Sequence, residues 1–554
     1  MEMESSPGSQ LKPVDQETQD KPGKNVKGGW ITLPFIAGSM LGLGLAINGT
    51  STNLLLYLLK QYNVESIDAA QITNIVRGSL NLVPVAGAVV SDSYFGCFPV
   101  ILAGTAINVL AFVLFTLTAA LPSLRPPHCA TPSAACQHGT PGQLAVLYAA
   151  VCLLAIGTGG TRFNVATLGA DQFGSARDQD TFFNWYFVFL YASFVVGDTA
   201  IVYLQDGVSW VLGFGVCLGT TVASLALLLL GARYYRMPAP KGSPYTELAR
   251  VVVAAVRKAR VGVAGRVQYY TGDGAVADSG SDGAPTQRLR FLNRAAMITA
   301  SDGTPDAAGG SHRWRLCTVQ QVEDLKSLLA VLPLWSSGIL ISVSIGVMIG
   351  MVILQALAMD RSLGPRFNIP AGSITVCSLA AFIAATPALE RAAFPLWRRA
   401  TGAPPTPLQR VGLGHAVNVA GIVAAALVER RRLGVVRAHG VAVGEAPMSV
   451  LWLLIPLGIV GVGEALHFPG NMAFYYQEFP KTLRSTATAM APLLIALGFY
   501  LSTVFVDVVR RVTAWLPGNI NQGRLDNVYW AVAVTATVNF GYFLICASLY
   551  KSRK

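Results

Sequence analysis

Charge is scarce in this 554-residue chain: 13% of its residues are Asp, Glu, Lys or Arg, against 53% hydrophobic. Soluble domains carry about 25% charged residues, so the deficit excludes an ordinary soluble protein and points to one that crosses a membrane many times. Several chemical signatures are also missing. There is no Walker A loop, no H-E-x-x-H pair and no G-x-S-x-G elbow, which disfavours ATP-driven pumping and hydrolysis by the familiar designs. No nucleophile, base and oxyanion donors converge, so neither an enzyme nor a cofactor is expected. The first 28 residues lack the apolar core of a cleavable signal, and the first membrane segment is expected to act as its own targeting signal.

Cysteine is sparse too, with eight in the chain. Only Cys129 and Cys136 sit together in a polar loop, where His128 and His138 complete the residue types of a zinc quartet. Extracytoplasmic cysteine pairs oxidise, so a disulfide or free thiols are expected there and no metal is assigned. The formal charge of +12 would suggest nucleic acid in a soluble protein. Here Lys and Arg lie mostly between apolar runs, so topology accounts for them, and the expected partner is the lipid bilayer.

What is abundant is apolar sequence in long runs. A helix needs about 20 apolar residues to span the hydrocarbon. Such runs lie near 31 to 59, 72 to 90, 99 to 121, 143 to 161, 185 to 204, 209 to 232, 326 to 357, 371 to 389, 411 to 428, 450 to 470, 485 to 508 and 528 to 549, twelve in all. The expected organisation is a disordered tail at 1–28, a six-helix bundle at 29–232, a linker at 233–325, a second six-helix bundle at 326–550 and a short tail at 551–554. Within the linker, "SPYTELARVVVAAVRKARV" reads as a basic amphipathic helix on the membrane surface and "TGDGAVADSGSDGAPTQ" as a disordered tether. Six crossings before the linker place it on the same side as both termini, and its Lys and Arg make that side cytoplasmic. "VERRRL" at 428 to 433 falls on the other side and runs against that rule.

Two six-helix halves around a linker form the layout of a transporter that rocks about a central cavity. The halves echo each other: the fourth crossing ends in Gly159-Gly160-Thr161-Arg162, and the tenth contains Gly461-Val462-Gly463-Glu464. An arginine at mid-membrane costs roughly 2.5 to 3.5 kcal/mol on insertion scales, so a charge within a span marks a wet cavity or a partner. Four stand out: Arg77, Arg162, Asp198 and Glu464. For Arg77 and Asp198, near the outer surface, a structural ion pair or a snorkelling side chain is an equal reading. Arg162 and Glu464 sit beside glycines, where helices thin and admit water or ligand. His467 reads as a packed helix residue, and the sequon at Asn48 lies inside the first crossing. Asp92 and Gly96, in the turn after the second crossing, read as a structural hinge in which Asp92 binds the amides of the next helix start. The basic residue usual in such a turn is absent, since Cys97 follows Gly96.

From about Gly28 to Tyr550 the chain resembles the plant nitrate and peptide transporter family, the plant branch of the proton-coupled oligopeptide transporters. The likeness rests on "GTGGTRFN" with "GADQF", "FFNW", "GSPYTELARVVVAAVRK", "RFLNRAA", "WRLCTVQQVEDLKSLLAVLPLW", "MDRSLGPRFNIPAGS", "TPLQRVGLG", "ALVERRRL", "FYYQEFPKTLRS" and "GRLDNVYW". It implies an all-α membrane protein with the major facilitator fold, twelve transmembrane helices in two six-helix bundles joined by a cytoplasmic linker. Two departures matter. The family's E-x-x-E-[RK] motif on the first helix is replaced by "MLGLG", with Met40, Leu43 and Gly44 in its places, and none of these can take a proton. On the seventh helix, Ile345 stands where a dual-affinity nitrate transporter of the family has its nitrate-binding histidine.

The first departure, with "GGWITLPF", "NVESIDAAQITNIV" and "DSYFGCFPVI", is most similar to the nitrate-excretion subgroup, whose members export or passively move nitrate and in some cases chloride. By resemblance Arg162 takes the place of the family's fourth-helix lysine and Glu464 that of its tenth-helix glutamate, which are thought to bridge the halves. The expectation is therefore a low-affinity, weakly coupled or uncoupled carrier of a small anion, nitrate or chloride, in the plasma membrane rather than the vacuolar membrane. Arg162, Glu464 and Arg77 would bind the anion. Arg162, Glu464 and Asp198 would gate or couple, with Glu464 the resting partner of Arg162. The alternatives are a proton-coupled carrier of hormones, glycosides, glucosinolates or peptides, and a nitrate sensor that does not transport.

Overall fold

The computed structural model describes residues 27–127, 137–238, 244–260, 267–272, 275–278, 283–299, 314–365, 367–478 and 484–550. His128, Cys129 and Cys136 lie outside these residues, as do both terminal tails. His138 hydrogen-bonds through Nδ1 to the carbonyl of Asn63 at 3.0 Å.

The first half contains α1 (Leu33–Tyr62), α2 (Ser66–Val90), α3 (Cys97–Ala120), α4 (Pro141–Thr161) with its short continuation α5 (Asn164–Ala170), α6 (Ala176–Val196) and α7 (Trp210–Gly231). The linker holds α8 (Pro244–Arg257), a hairpin of β1 (Gln268–Gly272) and β2 (Ala275–Asp278), and α9 (Arg290–Asn293). The second half contains α10 (Val319–Leu357), β3 (Met359–Asp360), α11 (Val376–Ala388) continued by α12 (Phe394–Thr401), α13 (Pro407–Ala438), β4 (Ala446–Ser449), α14 (Leu454–Glu478), α15 (Arg484–Val512) and α16 (Leu525–Leu549). Strands β3 and β4 pair in parallel beside the ends of α10 and α14. Among the described residues, twelve helical segments are long and apolar enough to cross a membrane.

Local sequence sets where these helices begin. Thr140, Thr318 and Thr406 each accept a hydrogen bond from the backbone N–H three residues on, while Gln143, Gln321 and Gln409 reach back to the cap. Such a capping box satisfies two of the four donors that a helix start leaves open. Prolines at 141 and 407 occupy the first helical position, where no intrahelical bond is lost.

The core divides unevenly. On the side away from the linker, a single buried cluster runs through both halves, from Leu54–Leu58 of α1 and Phe112 and Phe115 of α3 to Met348–Leu354 of α10, Ala425 and Ala426 of α13 and Tyr529 of α16. On the linker side it separates into two clusters. One, around Ile36, Ile101 and Phe182, belongs to the first half; the other, around Val322, Leu334 and Tyr475, belongs to the second half with the linker. The halves are thus packed together at the far side and apart at the linker side, which is an inward-facing arrangement if the linker is cytoplasmic.

Two readings of the linker change. The apolar face of α8 packs on α10 rather than facing a membrane: Leu248, Val251, Ala254 and Ala255 join Leu292, Val322 and Leu325. The tether is ordered in part. Its first residues build the β1–β2 hairpin, and Thr286 donates through its backbone N–H and hydroxyl to Glu323, while the Lys326 ammonium donates to the Thr286 carbonyl at 2.8 Å.

The "VERRRL" segment lies within α13 rather than in a loop, and its conflict with the charge rule is eased at Arg432 while Arg430 and Arg431 stay exposed. Arg432 is fully buried and donates twice to buried Glu429, at 2.8 and 2.7 Å. Gln355 donates to the same carboxylate at 2.6 Å and accepts from the hydroxyl of Tyr529 at 2.7 Å. Arg431 stacks over Trp452. Arg432 is therefore a neutralised internal group rather than a free topogenic charge. Arg432→Met, leaving Glu429 buried without its cation, is expected to cost about 3–5 kcal/mol, whereas Arg432→Met with Glu429→Gln recovers most of that loss. Thermal unfolding of the two purified variants in detergent checks this ordering.

Candidate functional site

All four charged residues singled out within the spans line one cavity of about 440 Å³ between the halves. Arg77 comes from α2, Arg162 from the break between α4 and α5, Asp198 from the wide helical turn after α6, and Glu464 from α14. Asn48, Ser51, Thr52 and Asn81 add polar groups from the first half. Ile345, Ile349, Phe382 and Phe499 supply an apolar wall from the second. Ile345 thus faces the cavity at the position where the resemblance marks a missing histidine.

Glycine places Arg162. A Cβ on Gly87 would lie 2.0 Å from the carbonyl oxygen of Gly159, so α2 and α4 touch backbone to backbone just before the arginine. Likewise a Cβ on Gly461 would lie 2.3 Å from the Ser378 carbonyl, fixing α14 against α11 next to Glu464. Gly159 and Gly461 are buried and Gly87 is half-buried, all at backbone contacts, so these glycines pack the helices together where the sequence suggested thinning that admits water. Their effect is to hold each charge at a set depth.

The helix is interrupted at Arg162, and its guanidinium reaches across to α2. Nη1 donates to the carbonyl of Leu80 at 3.2 Å and to Oδ1 of Asn81 at 3.3 Å. Among the described residues, Nε and Nη2 donate to no protein acceptor, which leaves one edge of the fork for a ligand. A second, narrow cleft of about 50 Å³ opens beside it, lined by Met40, Leu43, Gly44, Tyr186 and Arg162. The residues that replace the first-helix acid motif therefore face this guanidinium directly.

Glu464 shares the cavity with Arg162 but forms no ion pair with it within 4.0 Å, and among the described residues its carboxylate accepts no hydrogen bond. The resting partner that the sequence suggested is thus replaced, in this inward-facing arrangement, by α2. Arg77 and Asp198 form no ion pair either. Asp198 accepts from the hydroxyl of Thr52 at 2.8 Å, and Nη1 of Arg77 is buried without a partner. Asp92 lies in a wide helical turn and, among the described residues, accepts only from Ser91, so it does not cap α3 as expected, whereas Gly96 adopts the positive φ of 77° that the turn requires.

Sequence reading passed over Asn81 and Thr52, although their spacing carried a signal. Asn81 lies one turn after Arg77 and Thr52 one turn after Asn48, so each pair shares a helix face.

The far side of the cavity is closed by contacts between the halves. Arg510 of α15 pairs with Glu65 at 3.0 Å and with Asp68. Asn74 donates to the Gly346 carbonyl and to Ser502, both at 3.2 Å, and Ser79 meets Tyr500 at 2.8 Å. Ser373 donates to the backbone carbonyl of Asp198 at 2.9 Å.

Two helical bundles around a charged cavity, sealed on one side, have the layout of a membrane transporter. The comparisons say which. A family model described as the POT family matches residues 98–522. "Protein NRT1/ PTR FAMILY 2.7" of Arabidopsis thaliana is 45% identical over 96% of this chain and 95% of its own length, and "Protein NRT1/ PTR FAMILY 2.3" of the same plant is 43% identical over 97% and 96%. The crystal structure of the POT family transporter PepTSo superposes with a TM-score of 0.70 at 16% identity, covering 94% of this chain and 99% of that one. An auto-inhibited POT family peptide transporter gives 0.68 at 16% identity, covering 94% and 97%. The chain belongs to the POT family of membrane transporters, with the major facilitator fold.

Magnitudes separate the far-side contacts. The Arg510 pairs are part-exposed and worth under about 1 kcal/mol. Asn74 is buried, and removing it leaves a buried carbonyl short of a donor at roughly 1–3 kcal/mol. Asn74→Ala is expected to speed amide hydrogen exchange in the first turns of α2 by about tenfold or more, and Arg510→Gln by less than about fivefold.

Proposed function

We propose that this protein carries nitrate, with chloride as a second substrate, across the plasma membrane by alternating access, and that Arg162 is the main anion contact. The observation that carries the reading is the state of the Arg162 guanidinium. It faces a cavity with part of its donor fork unused, and no carboxylate of the first helix competes for it. A planar fork meets two oxygens of nitrate at once, where lysine offers a point charge. Guanidinium is also weakly hydrated and loses less on entering a partly dry cavity.

Coupling follows from the same residues. Met40, Leu43 and Gly44 cannot titrate, so the first helix supplies no proton site, and transport runs mainly down the anion's gradient. Across an inside-negative membrane, with the linker cytoplasmic, an uncoupled anion leaves the cell. Glu464, unpaired when the cavity faces inward, is the group to meet Arg162 once the linker side closes, and Asp198 belongs to the far gate through its Ser373 contact.

One observation favours a second reading. A cavity of about 440 Å³ has room for much more than nitrate, so an organic solute with an anionic group also fits.

Tracer flux of nitrate and chloride through purified protein in liposomes tests both. Arg162→Gln is expected to lower nitrate flux about 10–100-fold, because charge-assisted hydrogen bonds of about 1.5–3 kcal/mol are lost, and Arg162→Lys is expected to fall in between. Unchanged flux in Arg162→Gln contradicts the nitrate reading. Strong competition by organic anions at concentrations where chloride does not compete favours the second.

A further inference from the structure

We propose that the cavity holds a second anion subsite at Arg77, between the Arg162 site and the far gate, so that a small anion passes from one guanidinium to the other. This rests on the anion-transport reading above and adds a station to it.

Arg77 is a cation without a contact ion pair, although Asp198 shares its cavity. Among the described residues its buried Nη1 donates to no acceptor and no carboxylate lies within 4.0 Å of it. The acid side chains lining the cavity are Asp198 and Glu464. Asp198 accepts from Thr52, and neither forms an ion pair with Arg77. An arginine held this way is costly unless something else accepts its hydrogen bonds, and in a membrane span the candidates are water and a solute anion.

Its position relative to Arg162 is set by Asn81. The Asn81 amide donates to the backbone carbonyl of Arg77 at 2.8 Å, and its carbonyl accepts from Nη1 of Arg162. Arg162 is thereby held against α2 one turn on from the backbone of Arg77, and a helix rises about 6 Å per four residues. Because α2 runs from the far side toward the linker, Arg77 is the one nearer the far gate. That gate is tied to the same wall, since Thr52 holds the side chain of Asp198 and Ser373 of the second half holds its backbone.

The lining states which anions suit this station. Leu80, Ile345, Ile349 and Phe499 offer no hydrogen bonds, while Asn48, Ser51, Thr52 and Ser342 are among the neutral polar groups that line the same cavity. A divalent oxyanion such as sulfate needs many donors to replace its hydration. A weakly hydrated monovalent anion needs only the guanidinium and one or two hydroxyl or amide donors, such as Ser51 and Asn48. With a single guanidinium charge at the station and the carboxylates of Asp198 and Glu464 lining the same cavity, the subsite is assigned to monovalent anions such as nitrate and the halides rather than to divalent sulfate.

Equilibrium binding of isotope-labelled nitrate to the purified full chain, with tracer flux in liposomes, tests this. Wild-type protein is expected to bind a second equivalent of nitrate that sulfate does not displace. Arg77→Gln is expected to lose that equivalent and about tenfold in flux while keeping the affinity of the first, and Arg77→Lys to keep both equivalents. A wild-type protein that binds a single equivalent overturns the proposal whatever the variants do. So does a monodisperse Arg77→Gln protein with unchanged stoichiometry and flux. Should Arg162→Gln leave nitrate binding and flux intact, the nitrate reading itself fails; loss in Arg162→Gln with no effect of Arg77→Gln removes only the second station.

Discussion

A guanidinium cannot shed its charge at physiological pH, so burying one inside a membrane span obliges the surrounding structure to supply acceptors. At Arg162 the protein supplies only part of them. Two carbonyl groups of α2 take one nitrogen, and the rest of the fork opens on the central cavity. The side from which a relative with the first-helix motif would bring carboxylates is occupied by Met40, Leu43 and Gly44. Much of the remaining architecture serves to keep this under-satisfied cation at a fixed depth: the Gly87–Gly159 approach, the helix break at Arg162 and the Asn81 bridge.

The same constraint explains the distribution of packing. A cavity sealed on one side and open on the other cannot have a continuous core on both sides of its charges. Here the continuous cluster lies on the far side and the linker side is divided. Buried polar residues such as Asn74 and exposed pairs such as Arg510 with Glu65 decorate that far-side closure, while apolar and small-residue contact makes up its bulk. α8 packs on α10 through its apolar face, and Thr286, beyond the hairpin, bonds to Glu323 and Lys326 of α10, so the linker is attached to the second half.

Much of this was legible in the sequence because the bilayer imposes lengths and penalises charge. Twelve apolar runs gave twelve spans, and the four intramembrane charges share one cavity because such groups have few other places to go. Pairing was not legible. Whether Arg162 meets Glu464 or Asn81 depends on which face of the transporter is closed, and no local pattern encodes that. The glycines beside both charges were misread for a related reason: a run of glycine shows that something comes close, and only the packed structure shows that it is another backbone. Arg432 illustrates the opposite case, in which a charge that looked topologically misplaced is cancelled by Glu429 one turn away. The tether was misjudged because Thr286 finds its partners on a helix 37 and 40 residues further along the chain.

The central claim is that the missing first-helix acid is what leaves Arg162 free for an anion. Restoring one tests it most directly: Leu43→Glu puts a carboxylate into the cleft that already contains the guanidinium. Nitrate flux through this variant in liposomes is expected to collapse at neutral pH, as the new ion pair occupies the fork, and to return as acid protonates the glutamate. Nitrate flux equal to wild type at neutral pH, in a well-folded Leu43→Glu protein, would contradict the account.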